Sequence, residues 1–177
     1  MIRTIRKGRG RARSDVRYAL ENLFIAETLA ASPELWIVSP WITDIPLIDN
    51  RGRRFTHLGI VGDRWLKLSD VLLFLARKSG TKITIAISDH EWSKEFRLVI
   101  LRTFKENKLD QFLNLVVESH LELHEKSITT DNWQVGGSMN FTKAGIEIRD
   151  EVVTIDTDQE RIAASIVDLR QRFPWKI

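Results

Sequence analysis

From Val16 to Ala30 the apolar residues Val16, Leu20, Leu23, Phe24, Ala26, Leu29 and Ala30 recur at three- and four-residue steps. That spacing predicts one amphipathic helix, capped by Ser14 with Asp15 near its positive end and stopped by Pro33. The run Leu35-Trp36-Ile37-Val38-Ser39 predicts a buried strand ending at Pro40. Ser69-Asp70 opens a second helix through Val71, Leu72, Leu73, Phe74, Leu75 and Ala76, and Gly80 closes it. Ile83, Ile85 and Ile87 alternate within 81–89, with Ala86 between them, as in a strand covered on both faces. Residues 91–108 read as a charged amphipathic helix around Phe96, Val99, Ile100 and Phe104, and 113–118 as a short strand. Residues 120–130 and 132–138 read as two strands joined near Asp131-Asn132. The stretch 146–157 is β-rich, and 158–173 closes the chain as a helix on Ile162, Ile166 and Leu169.

Strands and helices therefore alternate, which predicts the α/β class, with helices on both faces of a sheet. The strand pair meeting near Asp131 makes that sheet mixed. No repeat of 20–50 residues is visible. Residues 41–68 keep no sustained period, and irregular stretches of that length are usually functional.

Composition narrows the function classes more than it names one. The 177 residues are 43% hydrophobic and 29% charged, which excludes a wholly disordered or fibrous chain. With no cysteine there is no disulfide, thiolate nucleophile, Fe–S cluster or cysteine-based zinc site, and a cytoplasmic protein is expected. No apolar segment follows the basic start as a secretory signal would require, and no stretch of about 20 apolar residues spans a membrane. The net charge of +3 is unevenly placed: Arg3, Arg6, Lys7, Arg9, Arg11 and Arg13 face no acid in residues 1–13, leaving 21 cations against 24 acids in the rest. A flexible basic arm over 1–13, followed by one domain over 14–177, is the expected organisation. The arm and a second cluster, Arg51, Arg53 and Arg54, are candidates for contacting the phosphates of a nucleic acid.

The chemistry concentrates in 120–151, HLELHEKSITTDNWQVGGSMNFTKAGIEIRDE. In an extended strand His120, Glu122, His124 and Lys126 share one face, an unusual row of titratable groups for a core strand. Asp131 follows, then Gly137-Ser138-x-Asn140. These residues read His124-x-Lys126-x4-Asp131-x5-Gly137-Ser138-x-Asn140, which resembles the HKD motif of the phospholipase D superfamily. The gap from Asp131 to Gly137 is five residues where the family commonly has six, and the turn between the two strands is the expected place for the deletion. Ser39-Pro40-Trp41-Ile42 is similar to the end of the family's first strand, so the pattern extends over roughly 34–172.

The resemblance implies a phospholipase D-like half-unit that dimerises, and a reaction needing no metal or other cofactor. His124 is implied as the nucleophile that forms a phosphohistidine, with Lys126, Ser138 and Asn140 binding the phosphate oxygens. Asp131 is implied as a residue that holds the motif in shape. Glu151, in the run Arg149-Asp150-Glu151-Val152-Val153, is implied as the acid that orients the histidine, with Glu147 the alternative. The mechanism needs two histidines, yet His57, His90 and His120 lack the rest of the motif. His120 would also lie about 13 Å from His124 along a strand. Two chains are therefore expected to meet so that both His124 residues form one site. Trp133 is either part of that interface or plain core. A zinc site on His120, Glu122, His124 and Asp131 is disfavoured, because H-L-E-L-H has strand rather than helical spacing.

The fold implied serves several chemistries, so substrate class rests on charge. A single motif and a basic arm favour a DNA endonuclease over a lipid enzyme. Ser-Pro-Trp-Ile-Thr-Asp (39–44) and Gly-Gly-Ser-Met-Asn-Phe-Thr (136–142) are also similar to the phospholipase D-like component of bacterial clusters that insert 7-deazaguanine into DNA. That similarity implies DNA restriction or phage defence with other subunits. Two alternatives remain open: a non-catalytic nucleic-acid-binding or phosphate-sensing subunit, and a phospholipid phosphodiesterase.

Overall fold

The β-branched runs of the middle of the chain pair into a sheet because no other arrangement covers both of their faces. A computed structural model describes residues 1–7, 13–56, 63–119 and 122–175, so Arg9, Arg11, His57 and His120 lie outside the described residues. In chain order the elements are β1 (Ile2–Lys7), α1 (Arg13–Leu29), β2 (Glu34–Ser39), β3 (Pro46–Asp49), β4 (Trp65–Lys67), α2 (Leu68–Ser79) and β5 (Lys82–Ser88). They continue with α3 (Lys94–Glu106), β6 (Leu113–Glu118), β7 (Ser127–Thr130), β8 (Gln134–Gly137), α4 (Lys143–Glu147), β9 (Glu151–Asp156) and α5 (Gln159–Arg172). Seven strands form one sheet in the order β1-β9-β8-β7-β2-β5-β6, and β3 pairs with β4 separately. β2, β5 and β6 run parallel, and the remaining neighbours are antiparallel, so the sheet is mixed.

Alternation along β2 assigns the two faces. Leu35 and Ile37 join the core built with α1, α2 and α3, through Phe24, Leu72 and Phe104 among others. Trp36 and Val38 point the other way, into a smaller core with Leu123, Leu169 and Phe173 at α5. Helices thus cover both faces, as the α/β pattern requires. α2 ends where Gly80 adopts φ 68°, a left-handed conformation that its missing side chain permits.

Three expectations need correcting. The arm over 1–13 is not flexible throughout: Ile2–Lys7 is an edge strand, with Ile2 opposite Asp156 and Lys7 opposite Glu151. Among its described side chains Ile5 alone is buried and apolar, too little to leave a periodic signal. Residues 122–126 are not strand, so the parity argument for His124 and Lys126 does not hold; regular pairing begins at Ser127. The span 146–157 is divided, since Thr142 caps the short helix α4 by accepting a hydrogen bond from the Gly145 N–H before β9 begins.

The motif hairpin is tied to the end of α1. Buried Glu27 accepts hydrogen bonds from the Ser32 N–H (2.5 Å) and from Trp133 Nε1 (3.1 Å). Trp133 is therefore core, packed edge-on against Phe24 at 5.5 Å. The Thr130 N–H donates to the Trp133 carbonyl at 2.9 Å, closing a two-residue turn at Asp131-Asn132. The short Asp131–Gly137 spacing thus falls at the turn, while the register of Ser127 opposite Gly136 is kept.

Candidate active site

One edge of the sheet collects the ends of five strands. β2 and β5 finish there at Ser39 and Ser88, β7 starts there at Ser127, β8 ends there at Gly137, and β9 starts there at Glu151. The carboxyl ends of parallel strands are where open α/β sheets place ligands.

His124 reaches this edge on a segment pinned on either side. Leu123 is buried against Leu169 and Phe173, and Glu125 pairs with Arg172 at 2.5 Å and accepts from the Ser127 hydroxyl at 2.5 Å. Between these anchors His124 is exposed. The Lys126 ammonium donates to the His124 carbonyl, which holds the two motif residues together. Partial burial pushes the Lys126 amine below the usual lysine range, and the Glu151 carboxylate nearby opposes that shift.

Ser138 joins β8 to β9. Its hydroxyl donates to Glu151, its N–H donates to the Val152 carbonyl at 3.0 Å, and its Oγ accepts from the Val152 N–H at 3.1 Å. This approach requires glycine at 137: φ is 148°, and a β-carbon there would lie 2.0 Å from the Val152 carbonyl oxygen. Asn140 is buried and accepts from the Ser39 hydroxyl at 3.3 Å, so the end of β2 positions it. The same hydroxyl lies 3.0 Å from the Trp41 carbonyl. Gly145 passes directly over the Asn140 backbone; a β-carbon would sit 2.2 Å from its carbonyl oxygen. Ser39 is a supporting residue that the sequence reading missed, although it ends the strand that carried part of the resemblance.

Lys126, Ser138 and Glu151 therefore converge beside His124, with Asn140 held by Ser39. The other candidates lie elsewhere. Asp131 is at the far end of β7, roughly 16 Å from Lys126 at five strand residues. There burial and the Glu34 carboxylate raise its pKa, and it lines a cavity of about 330 Å³ with Ile162, Ile166 and Arg170 of α5. Glu147 is ion-paired with Arg17. Of the ligands weighed for zinc, His120 lies outside the described residues, and His124 and Asp131 lie beyond opposite ends of β7. Of the basic candidates, Arg3 and Arg6 are exposed on β1, Lys7 ends that strand and Arg13 starts α1. Arg51 is engaged by Asp49 at 2.8 Å and lies over the Trp65 ring at 5.2 Å, while Arg53 and Arg54 are exposed beside it. Arg51 holds the Asp49 carboxyl down at about 2.

An aromatic group also stands at this edge, with no periodic signal in the sequence to mark it. Trp41, beyond β2, lies 4.9 Å from Trp92 and 5.9 Å from His90, both beyond β5, and His90 lies 5.2 Å from Trp92.

No family model and no curated protein matches the chain. Solved structures do. A phospholipase D family member, Nuc from Salmonella typhimurium, superposes with a TM-score of 0.59 over 98% of this chain and 93% of its own, at 19% identity. NucT from Helicobacter pylori gives 0.53 over 98% and 96% of the two chains, at 14% identity. Phosphatidylserine synthase from Haemophilus influenzae gives 0.55 over 97% of this chain but 38% of its own, at 12% identity. The chain has the phospholipase D fold.

Proposed function

We propose that this protein is a metal-independent phosphodiesterase that cleaves DNA, with two copies of the chain supplying one active site. The observation that carries this reading is the convergence of Lys126, Ser138 and Glu151 beside exposed His124, at the edge where the Ser39–Asn140 pair also sits. A phosphodiester needs a nucleophile, a proton for its leaving alcohol and donors for its charged oxygens, and this group offers each.

In this mechanism one His124 imidazole attacks phosphorus as the bond from phosphorus to the leaving oxygen breaks. The His124 of the second copy, protonated, gives its proton to that oxygen. Water then attacks the phosphohistidine, the second imidazole takes its proton, and the phosphorus–nitrogen bond breaks to restore the first. Lys126 balances charge on the equatorial oxygens. Glu151, fixed by Ser138, keeps that lysine protonated and orients an imidazole. Asp131 supports the motif hairpin through its backbone N–H, which donates to the Ser32 hydroxyl at 3.2 Å, away from the phosphate.

Two copies are required because only one motif histidine exists per chain, and His90 is built into the aromatic group. DNA is preferred over lipid because Lys126 at this edge is joined by Lys143 and Arg149, which line the cavity beside Trp41. The similarity of residues 39–44 and 136–142 to a component of 7-deazaguanine DNA-modification clusters supports a restriction role alongside other subunits.

The test is plasmid and denatured DNA incubated in EDTA with wild type and His124→Ala, with molar mass measured for both proteins. Cleavage that survives EDTA and disappears in a dimeric His124→Ala supports the reading. No cleavage with DNA binding retained favours a binding subunit. Turnover of phosphatidylcholine but not DNA favours the lipid enzyme. A monomeric wild type contradicts the shared site.

A further inference from the structure

The group Trp41, His90 and Trp92 takes no part in the chemistry above, yet it adjoins that site. Trp41 is two residues from Ser39, and Thr142, on the same cavity, is two residues from Asn140. The cavity measures about 390 Å³, within the roughly 300–1,000 Å³ range of small-molecule sites. Its walls include Trp41, Trp92, Thr142, Lys143 and Arg149.

The loops that form it are held firmly. The Ser88 and Ser93 hydroxyls both donate to the Pro40 carbonyl, at 2.6 and 3.1 Å, fixing the turns after β2 and β5 against each other. The Thr43 N–H donates to the Phe141 carbonyl at 3.1 Å, tying the Trp41 segment to the strand end that carries Asn140. The Trp92 N–H donates to His90 Nδ1 at 3.2 Å. On this rigid frame Trp92 remains 56% exposed, a large apolar area for a tryptophan to leave in water.

The indole planes of Trp41 and Trp92 are inclined at 66° and form a corner. A flat ring can lie against one face and meet the other plane edge-on. An aromatic corner also suits a quaternary ammonium group, as in a choline headgroup. The charge argues against that occupant: the cavity wall carries Lys143 and Arg149 and no acid among the described residues. Neither cation is in an ion pair among the described residues, so an anionic ligand with a flat ring fits both features.

We infer that this cavity stacks an unpaired nucleobase of a nucleic-acid strand whose phosphates contact Lys143 and Arg149, which makes single-stranded nucleic acid the substrate class. The inference rests on the phosphodiesterase reading for the strand's path, since the cavity lies beside His124's edge of the sheet. In a duplex the faces of the bases are already stacked on one another, so only an unpaired base can occupy the corner.

The test reads binding, separately from turnover. Fluorescence anisotropy in EDTA compares a labelled twelve-nucleotide oligothymidylate with an abasic oligomer of the same length and charge, using the full-length His124→Ala protein so that nothing is cleaved. Stacking on indole is expected to favour the oligothymidylate by roughly 5- to 150-fold. Adding Trp92→Ala should remove that preference with the abasic affinity unchanged, and Trp92→Phe should restore part of it. Equal affinity of the His124→Ala protein for the two oligomers overturns the inference. So does a Trp92→Ala protein that weakens both oligomers alike. If base preference is found while wild type hydrolyses no diester, the catalytic reading fails and this one stands.

Discussion

Two adjacent glycines of β8 offer a controlled perturbation of the site. At Gly137 a β-carbon would lie 2.0 Å from the Val152 carbonyl oxygen and would have to adopt φ 148°. At Gly136 the nearest atom to such a carbon is the Lys126 carbonyl oxygen at 3.9 Å, an ordinary contact. Overpacking costs about 1–3 kcal/mol, and a glycine-only backbone conformation about 1–3 more, so Gly137→Ala should cost roughly 2–6 kcal/mol. For a chain of this size each kcal/mol lowers Tm by roughly 2–4 °C, which gives a drop of about 4–24 °C. Gly136→Ala should stay within about 1 kcal/mol of wild type. The carbonyl displaced at 137 is the acceptor of the Ser138 N–H, so the Ser138–Glu151 pair should be disturbed as well. Thermal melting followed by circular dichroism, with diester hydrolysis measured below the lower Tm, checks both effects. Equal Tm losses for the two variants, or a Gly137→Ala protein with wild-type Tm and rate, would refute the reasoning.

Because burial lowers the Lys126 pKa, activity that needs its ammonium should fall as pH rises through a value below the ordinary lysine pKa of about 10.4. Glu151→Gln removes the charge that opposes this shift and should move the alkaline limb lower still; a flat profile up to that pH would contradict the role given to Lys126. Asp131 has its pKa raised by burial and by Glu34, so its ionised form opposes folding, and stability from this group rises as pH falls through the raised value toward the usual aspartate range. Asp131→Asn should accordingly keep Tm at pH 7 and flatten that rise, which calorimetry across the acidic range reads; a large Tm loss at pH 7 would show that the carboxylate is structurally required. Deleting residues 1–7 uncovers the edge of β9 and removes buried Ile5, worth about 1.5–3 kcal/mol, and should lower Tm. Arg3→Ala with Arg6→Ala should instead leave Tm unchanged and reduce the salt slope of DNA binding by about 2 if both contact phosphates.

Much of this architecture is legible in the chain because its signals are local. The isoleucine alternation of β5, the stripe of α1 and the glycine that closes α2 each follow from periodicity and backbone sterics. The motif residues could be singled out because their order and spacing resemble the HKD motif. What escaped depends on contacts distant in sequence. β1 exists because β9 lies ready to pair with it, and its three cations, two isoleucines and one threonine carry no apolar period. Ser39 matters because it meets Asn140, a hundred residues away, and the aromatic corner exists because the ends of β2 and β5 are adjacent in the sheet. The row of His124 and Lys126 was expected to share a strand face, whereas a hydrogen bond and the anchors Leu123 and Glu125 hold that segment instead.

In the mechanism proposed, His124 becomes covalently bound to phosphorus in a site made by two chains. Rapid acid-free quenching of wild type during turnover of an oligonucleotide, followed by intact-mass and peptide mass spectrometry, tests it directly. A nucleotidyl adduct is expected on the peptide carrying His124, saturating at one adduct per two chains and absent in His124→Ala. An adduct on another residue, a stoichiometry of one per chain, or steady turnover with no adduct at all would contradict it.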